Sequence, residues 1–248
     1  MKAWNSRISP AVQNIPPSGI RRFFDIAAEM DDVISLGVGE PDFVTPWTIR
    51  ESCVYGLEQG YTSYTANRGM PELRREIARL QKERYGIDYD EATDVLVTVG
   101  VSEALDLAMR ALLSPGDEVL IPEPCYVSYK ACATLAGGVA VPVPAKIENE
   151  FRITPADLEA HLTPRTKVLL IGYPNNPTGA VMGRDDLLAI ARFAEAHDLI
   201  VISDEIYGDL TYGDEPHICF AALPGMKERT LLLNGFSKAY AMTGWRIG

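Results

Sequence analysis

The chain has 248 residues, with 23 Lys plus Arg against 34 Asp plus Glu for a formal charge of −11, and 47% of its residues are hydrophobic. A chain this long buries roughly 70–75% of its unfolded surface without staples, and its acidic balance gives no electrostatic hold on nucleic-acid phosphate or an anionic membrane surface. With no apolar run near the ~20 residues of a membrane helix, no apolar signal core at the N-terminus and no C-x-x-C spacing among Cys53, Cys125, Cys132 and Cys219, the expectation is a cytoplasmic protein with reduced thiols.

Residues 1–45 are punctuated by Pro10, Pro16, Pro17 and Pro41, and only 20–30 (IRRFFDIAAEM) reads as a helix there. From residue 71 the pattern alternates. PELRREIARLQKERYG (71–86) carries Leu73, Ile77 and Leu80 at i, i+4 and i+7 behind Pro71, an amphipathic helix entered through proline. DVLVTVG (94–100) is a β-branched run that reads as a strand. An apolar helix follows over 102–113, stopped by Ser114-Pro115-Gly116-Asp117. Strands are expected over 118–121, 139–143, 167–172, 199–203 and 230–233. Between them come helices over 127–135, over 155–162 behind Thr154 as N-cap, and over 184–197 with Leu187, Ile190, Ala191 and Phe193 facing in.

These strand runs are apolar on both faces, which calls for a parallel sheet covered by helices on each side. The fold class expected is α/β, a three-layer α/β/α large domain with a mostly parallel sheet over 46–248. Residues 1–45 fall outside it, as an N-terminal arm and the start of a small domain. The apolar pattern is still running at TGWRIG, so the sequence reads as stopping inside the large domain.

In open α/β sheets, ligands bind beyond the carboxyl ends of the strands. Gly100-Val101-Ser102 opens a helix there, either as an ordinary N-cap at Ser102 or as a set of free N–H groups that hold a phosphate. Tyr126 follows the strand at 118–121, Asn176 lies in the turn after 167–172, Asp204 and Tyr207 follow 199–203, and Lys238 follows 230–233. Taken singly these are a packing tyrosine, a turn, a cap and a surface lysine. Taken together they put an anion site, an aromatic face, an amide, a carboxylate with a phenol and an amine on one edge. A lysine forms a Schiff base with an aldehyde cofactor. Pyridoxal 5'-phosphate then needs an acidic partner for its ring nitrogen, a phosphate cradle and hydrogen bonds to its phenolate. There is no G-x-x-x-x-G-K-[ST], Gly37-Val38-Gly39 does not continue to a third glycine, and the three histidines lack H-E-x-x-H. No nucleotide loop and no metal site are expected.

SKAYAMTGWRIG (237–248) resembles the cofactor-lysine signature of the class I/II aminotransferases, fold-type I pyridoxal-phosphate enzymes. YPNNPTG (173–179), SDEIYGDL (203–210), SLGVGEPDF (35–43) and YTSYTANRGMPELR (61–74) resemble that family's other blocks, in the family's order. The resemblance implies that Lys238 bonds the cofactor and shuttles the substrate proton, that Asp204 faces the pyridine nitrogen, that Tyr207 and Asn176 bond the phenolate, and that Tyr126 stacks on the ring. It assigns Arg246 and the amides of Val101 and Ser102, after Gly100, to the phosphate. Many relatives carry a serine where Gly235 stands, and Ser237 is the substitute. Tyr64 resembles a tyrosine that reaches the phosphate of a neighbouring subunit, which implies a homodimer. Val38, Gly39 and Ile15 are implied for the substrate side.

The implied activity is transfer of an amino group between an amino acid (aromatic, neutral or aspartate-like) and a 2-oxo acid, in amino-acid metabolism and biosynthesis. The branch resembled holds prokaryotic aspartate, aromatic and alanine-type aminotransferases. The absence of a basic residue at Ser102, and Phe23 and Phe24 in the arm, lean toward neutral or aromatic substrates. The alternatives are a C–S lyase of the same fold and a catalytically incompetent fragment. A transcription-regulator reading is disfavoured by the charge of −11. Family members run longer, and the arginine for the substrate carboxylate is expected in the part that this sequence does not include.

Overall fold

The computed structural model describes residues 7–16, 26, 30, 34, 39–213 and 216–248. The helix expected over 20–30 falls almost wholly outside the described residues, as do Phe23, Phe24 and Val38. No helix among the described residues is long and apolar enough to cross a membrane.

Five strands form one sheet in the order β2-β1-β3-β4-β5: β1 (Glu118–Glu123), β2 (Val139–Pro144), β3 (Thr166–Gly172), β4 (Ile200–Asp204) and β5 (Thr230–Leu233). Every pairing is parallel, as the two-sided apolar runs require. Alternate residues of each strand enter different cores. Val119, Ile121, Val168, Leu170 and Ile202 pack with α4 (Gly100–Leu112) and α5 (Ser128–Leu135). Leu120, Leu169, Ile171 and Val201 pack on the other face with α6 (Pro155–Glu159) and α7 (Arg184–Ala196). The helix layers on the two faces give the three-layer α/β architecture expected.

Local signals decide where these elements begin. Thr154 caps α6 through a full capping box with Asp157. Helix α7 buries Leu187, Ile190, Ala191 and Phe193, and Ala194 besides. The helix expected at 71–86 is α3 (Pro71–Tyr85), closed by Gly86 in the left-handed conformation at φ 71°. Its buried face is rotated by one residue, so that Arg74, Ala78 and Gln81 are buried and Leu73, Ile77 and Leu80 are half-buried. The guanidinium of Arg74 is the cause, since it donates inward to the carbonyls of Gly69, Glu91 and Ala92.

Two expectations are corrected. The strand expected over 94–100 is absent: residues 95–98 belong to no ladder, although Thr98 makes a reciprocal backbone pair with Gly248 (2.8 and 3.0 Å) and the Val97 N–H donates to Arg68 O. The β-branched residues favour a strand, but a ladder needs a run of paired neighbours. The following helix starts at Gly100 instead of 102, with Val99 as its N-cap and the Val99 N–H donating to the Glu103 carboxylate at 2.5 Å. Two helices were not expected: α1 (Pro10–Gln13) and α2 (Trp47–Glu58). Helix α2 buries none of its residues and leaves Trp47, Val54, Tyr55 and Leu57 exposed.

Candidate functional site

Strand order reverses between β2-β1 and β3-β4-β5, and a cleft of about 2050 Å³ opens beyond the carboxyl ends of these strands. Of the residues singled out from the sequence, Gly39, Val101, Ser102, Tyr126, Asn176, Asp204, Tyr207, Ser237, Lys238 and Arg246 line it. Gly100 lies directly behind Arg246. Ile15 and Tyr64 are not in its wall, and the Tyr64 side chain is fully exposed.

Asp204 is the last residue of β4, in register with Gly172 of β3 and Leu233 of β5. It is 7% exposed. Its carboxylate accepts from the Tyr129 O–H at 2.9 Å and from the Ile206 N–H at 3.2 Å. Burial pushes this carboxyl up to about 6; the two donors work against that rise, and the neighbouring Glu205 adds to it.

Tyr129 is the functional candidate that the sequence reading missed. It belongs to α5, three residues after Tyr126, and its ring meets Tyr126 edge-on at 5.7 Å. The i, i+3 spacing of two tyrosines behind a strand end was the available signal. Gly172 makes the contact with Asp204 possible, because a Cβ there would come 2.5 Å from the Tyr129 oxygen. Tyr129→Phe removes a donor from a buried carboxylate, which costs about 1–3 kcal/mol where the carboxylate is charged. Urea unfolding is expected to show a larger loss at pH 8 than at pH 5, with Asp204 protonated at the lower pH. An equal loss at both values would contradict the assignment.

Lys238 follows β5 and is half-buried. Its ammonium donates to Gly39 O at 2.5 Å and lies 5.5 Å from the centre of the Tyr207 ring. Burial lowers its pKa, Glu40 opposes that, and the Arg246 charge lowers it further. The Tyr207 hydroxyl accepts from Asn176 Nδ2 at 3.5 Å. Its pKa is raised by burial first and by Asp204 second.

The segment over residues 39–45 is tied to the loop after Lys238. Thr45 Oγ1 donates to Ala241 O, Trp245 Nε1 donates to Thr45 Oγ1, and Thr243 Oγ1 donates to Glu40. These bonds bring two sequence blocks about 200 residues apart to one cleft wall.

Arg246 sits at the first turn of α4. Gly100 has φ +75° and a Cβ on it would collide with the Arg246 guanidinium, so the close approach requires glycine. Arg246 donates to Thr243 O at 2.9 Å and has no carboxylate partner among the described residues. A guanidinium without a carboxylate partner among the described residues, placed against the first turn of a helix, is suited to an anion. Gly235 is explained by packing, since a Cβ there would lie 3.0 Å from Ile247 O. The arrangement thus offers an anion cradle, a buried carboxylate, a phenol–amide pair and an amine with a lowered pKa.

Residues 31–248 match the model of the family "Aminotransferase class I and II". The chain is 56% identical to a provisionally named aminotransferase, YugH, of Bacillus subtilis, over 98% of this chain and 63% of that protein. It is 46% identical to aromatic-amino-acid aminotransferase 2 of Thermococcus litoralis, over 97% of this chain and 62% of the relative. The solved aspartate aminotransferase of Thermus thermophilus with maleate superposes with a TM-score of 0.91 at 40% identity, covering 97% of this chain and 63% of that one. The chain spans just under two thirds of the length of the curated relatives it matches. It belongs to the class I and II aminotransferases.

Proposed function

We propose that the protein is a pyridoxal-phosphate-dependent aminotransferase that moves an amino group between an amino acid and a 2-oxo acid. The observation that carries this reading is the convergence of Lys238, Asp204, Tyr207, Asn176 and Arg246 on one cleft. The donor set fits the cofactor. An unpaired guanidinium and a helix N-terminus that only glycine lets it approach suit a phosphate. A buried carboxylate suits a ring nitrogen, and a phenol beside an amide suits a phenolate.

In this reading Arg246, Ser237 and the amides of Val101 and Ser102 after Gly100 hold the phosphate, and Tyr126 covers a ring face. Bound there, the cofactor supplies an electron sink for a carbanion at the substrate Cα. The chain's own residues do the rest. Lys238 must be a neutral amine to act as nucleophile or base, and burial together with the Arg246 charge moves it that way. Asp204 must stay ionised opposite a protonated nitrogen; the Tyr129 O–H and the Ile206 N–H hold the charged form against burial. Tyr207 and Asn176, paired through the amide and the phenol, would hold the phenolate oxygen.

The finer assignments are part of the proposal. Residues 46–248 form the cofactor-binding large domain and 1–45 the arm. Val38, Gly39 and Ile15 serve the substrate side. Tyr64, fully exposed, serves the cleft of a second copy in a cytoplasmic homodimer, in which the exposed apolar residues of α2 find cover. The relatives named above are aminotransferases, so the C–S lyase alternative is not favoured.

The test is to incubate the cofactor-loaded chain with single amino acids and measure 2-oxo acid release. Stoichiometric 2-oxo acid without free ammonia is expected; ammonia and pyruvate from a cysteine conjugate would contradict the reading. Gly100→Ala is expected to weaken cofactor binding about tenfold or more, because the new Cβ displaces Arg246 and the left-handed backbone disfavours alanine. Fluorescence titration with pyridoxal phosphate checks it.

A further inference from the structure

Glu205, next to Asp204, is 2% exposed and points away from the cleft. Its Oε1 accepts from Ser203 Oγ at 2.8 Å and from the Phe220 N–H at 2.9 Å, and His217 Nε2 lies 2.7 Å from its Oε2. Its own N–H donates to Leu233 O and its carbonyl accepts from the Gly208 N–H, both at 2.9 Å. One residue therefore ties the end of β4 to the end of β5, which leads to Lys238, and to the turn that carries Tyr207. Gly208 leaves room for the imidazole, because a Cβ there would come 2.8 Å from His217 Cδ2. Tyr85 of α3 meets the His217 ring edge-on at 6.2 Å.

This cluster lines a separate cavity of about 270 Å³, not the large cleft, so contact with a cleft ligand does not account for it. A buried carboxylate with this many donors is costly to break and holds its surroundings in one arrangement. The titratable groups that face it are Asp204, Tyr85, Tyr89 and Cys219, with the Arg84–Asp209 ion pair alongside.

We propose that Glu205, clamped by Ser203, Phe220 and His217, is a positioning residue that sets Asp204 and Tyr207 against the Lys238 strand. The inference rests on the function proposed above. It also assigns Glu205 an electrostatic part, since its charge pushes the Asp204 carboxyl up.

Two variants of the full chain test it. His217→Phe keeps an aromatic ring against Tyr85 but loses the clamp, and is expected to raise the dissociation constant for pyridoxal phosphate about tenfold or more while unfolding stays cooperative. Glu205→Gln keeps acceptors for Ser203 and Phe220 but removes the charge. Its cofactor-free form is expected to lose stability over a lower pH range than the wild type, because the Asp204 carboxyl is no longer pushed up. Wild-type values for both readouts overturn the inference. If His217→Phe does not fold, Glu205→Gln decides alone, and an unmoved pH range overturns the inference. A wild-type chain that takes up no pyridoxal phosphate overturns the proposed function and this inference with it, which sets that failure apart from variants that match a competent wild type.

Discussion

Lys238→Ala is expected to lower turnover about 10⁴-fold or more, because in the proposed function one amine serves both as nucleophile and as proton carrier. The site supplies no substitute. The other cation in the cleft wall among the described residues is Arg246, a guanidinium that stays protonated and sits against α4. Lys238→Arg is expected to be as inactive as the alanine variant, since it keeps the charge but cannot offer a neutral amine. If the arginine variant kept more than about a tenth of the activity, the role of Lys238 would be electrostatic, and the reading of its lowered pKa would be wrong.

Asp204→Asn is expected to separate function from stability. It takes the charge from the position that the proposed function sets against a ring nitrogen, which should cost about 10²–10³-fold in turnover. In the cofactor-free chain the same substitution should stabilise. Burial pushes the carboxyl up to about 6 in the fold against an ordinary 3.8. A raised pKa means that the folded chain holds its proton more tightly than the unfolded one, so stability is full below about pH 4 and falls as pH rises through 6. At pH 8 the loss amounts to about 3 kcal/mol, at about 1.4 kcal/mol per pKa unit. Urea unfolding of the wild type should fall over that window, and that of Asp204→Asn should stay flatter. A wild-type stability that rises between pH 4 and 6 while the variant stays flat would show that Asp204 is ionised at no cost, against the burial that the fold gives it.

These expectations depend on a candidate site whose residues are largely legible in the sequence. Strand ends are punctuated by residue types that packing does not require, and the parallel sheet sends all of those ends to one edge. The run at 199–203 therefore announced Asp204 and Tyr207, and the run at 230–233 announced Lys238. What stayed hidden depends on contacts across the chain. Tyr129 reads as one more apolar helix residue until Gly172, some 40 positions later, leaves it room to reach Asp204. Glu205 reads as a surface acid until Ser203, His217 and Phe220 close around it. The rotated face of α3 has the same origin, since Arg74 is buried for carbonyls that no periodicity rule counts. The segment 94–100 failed in the opposite way: its composition favours a strand, but strand identity belongs to the pair and not to the residue.

Reductive trapping tests the central claim most directly. The chain is mixed with pyridoxal phosphate, reduced with borohydride, digested and mapped by mass spectrometry. One adduct per chain at Lys238, lost in Lys238→Ala, is the predicted result. Adducts spread over surface lysines, or a single adduct on another lysine, would contradict the assignment of Lys238 as the cofactor lysine.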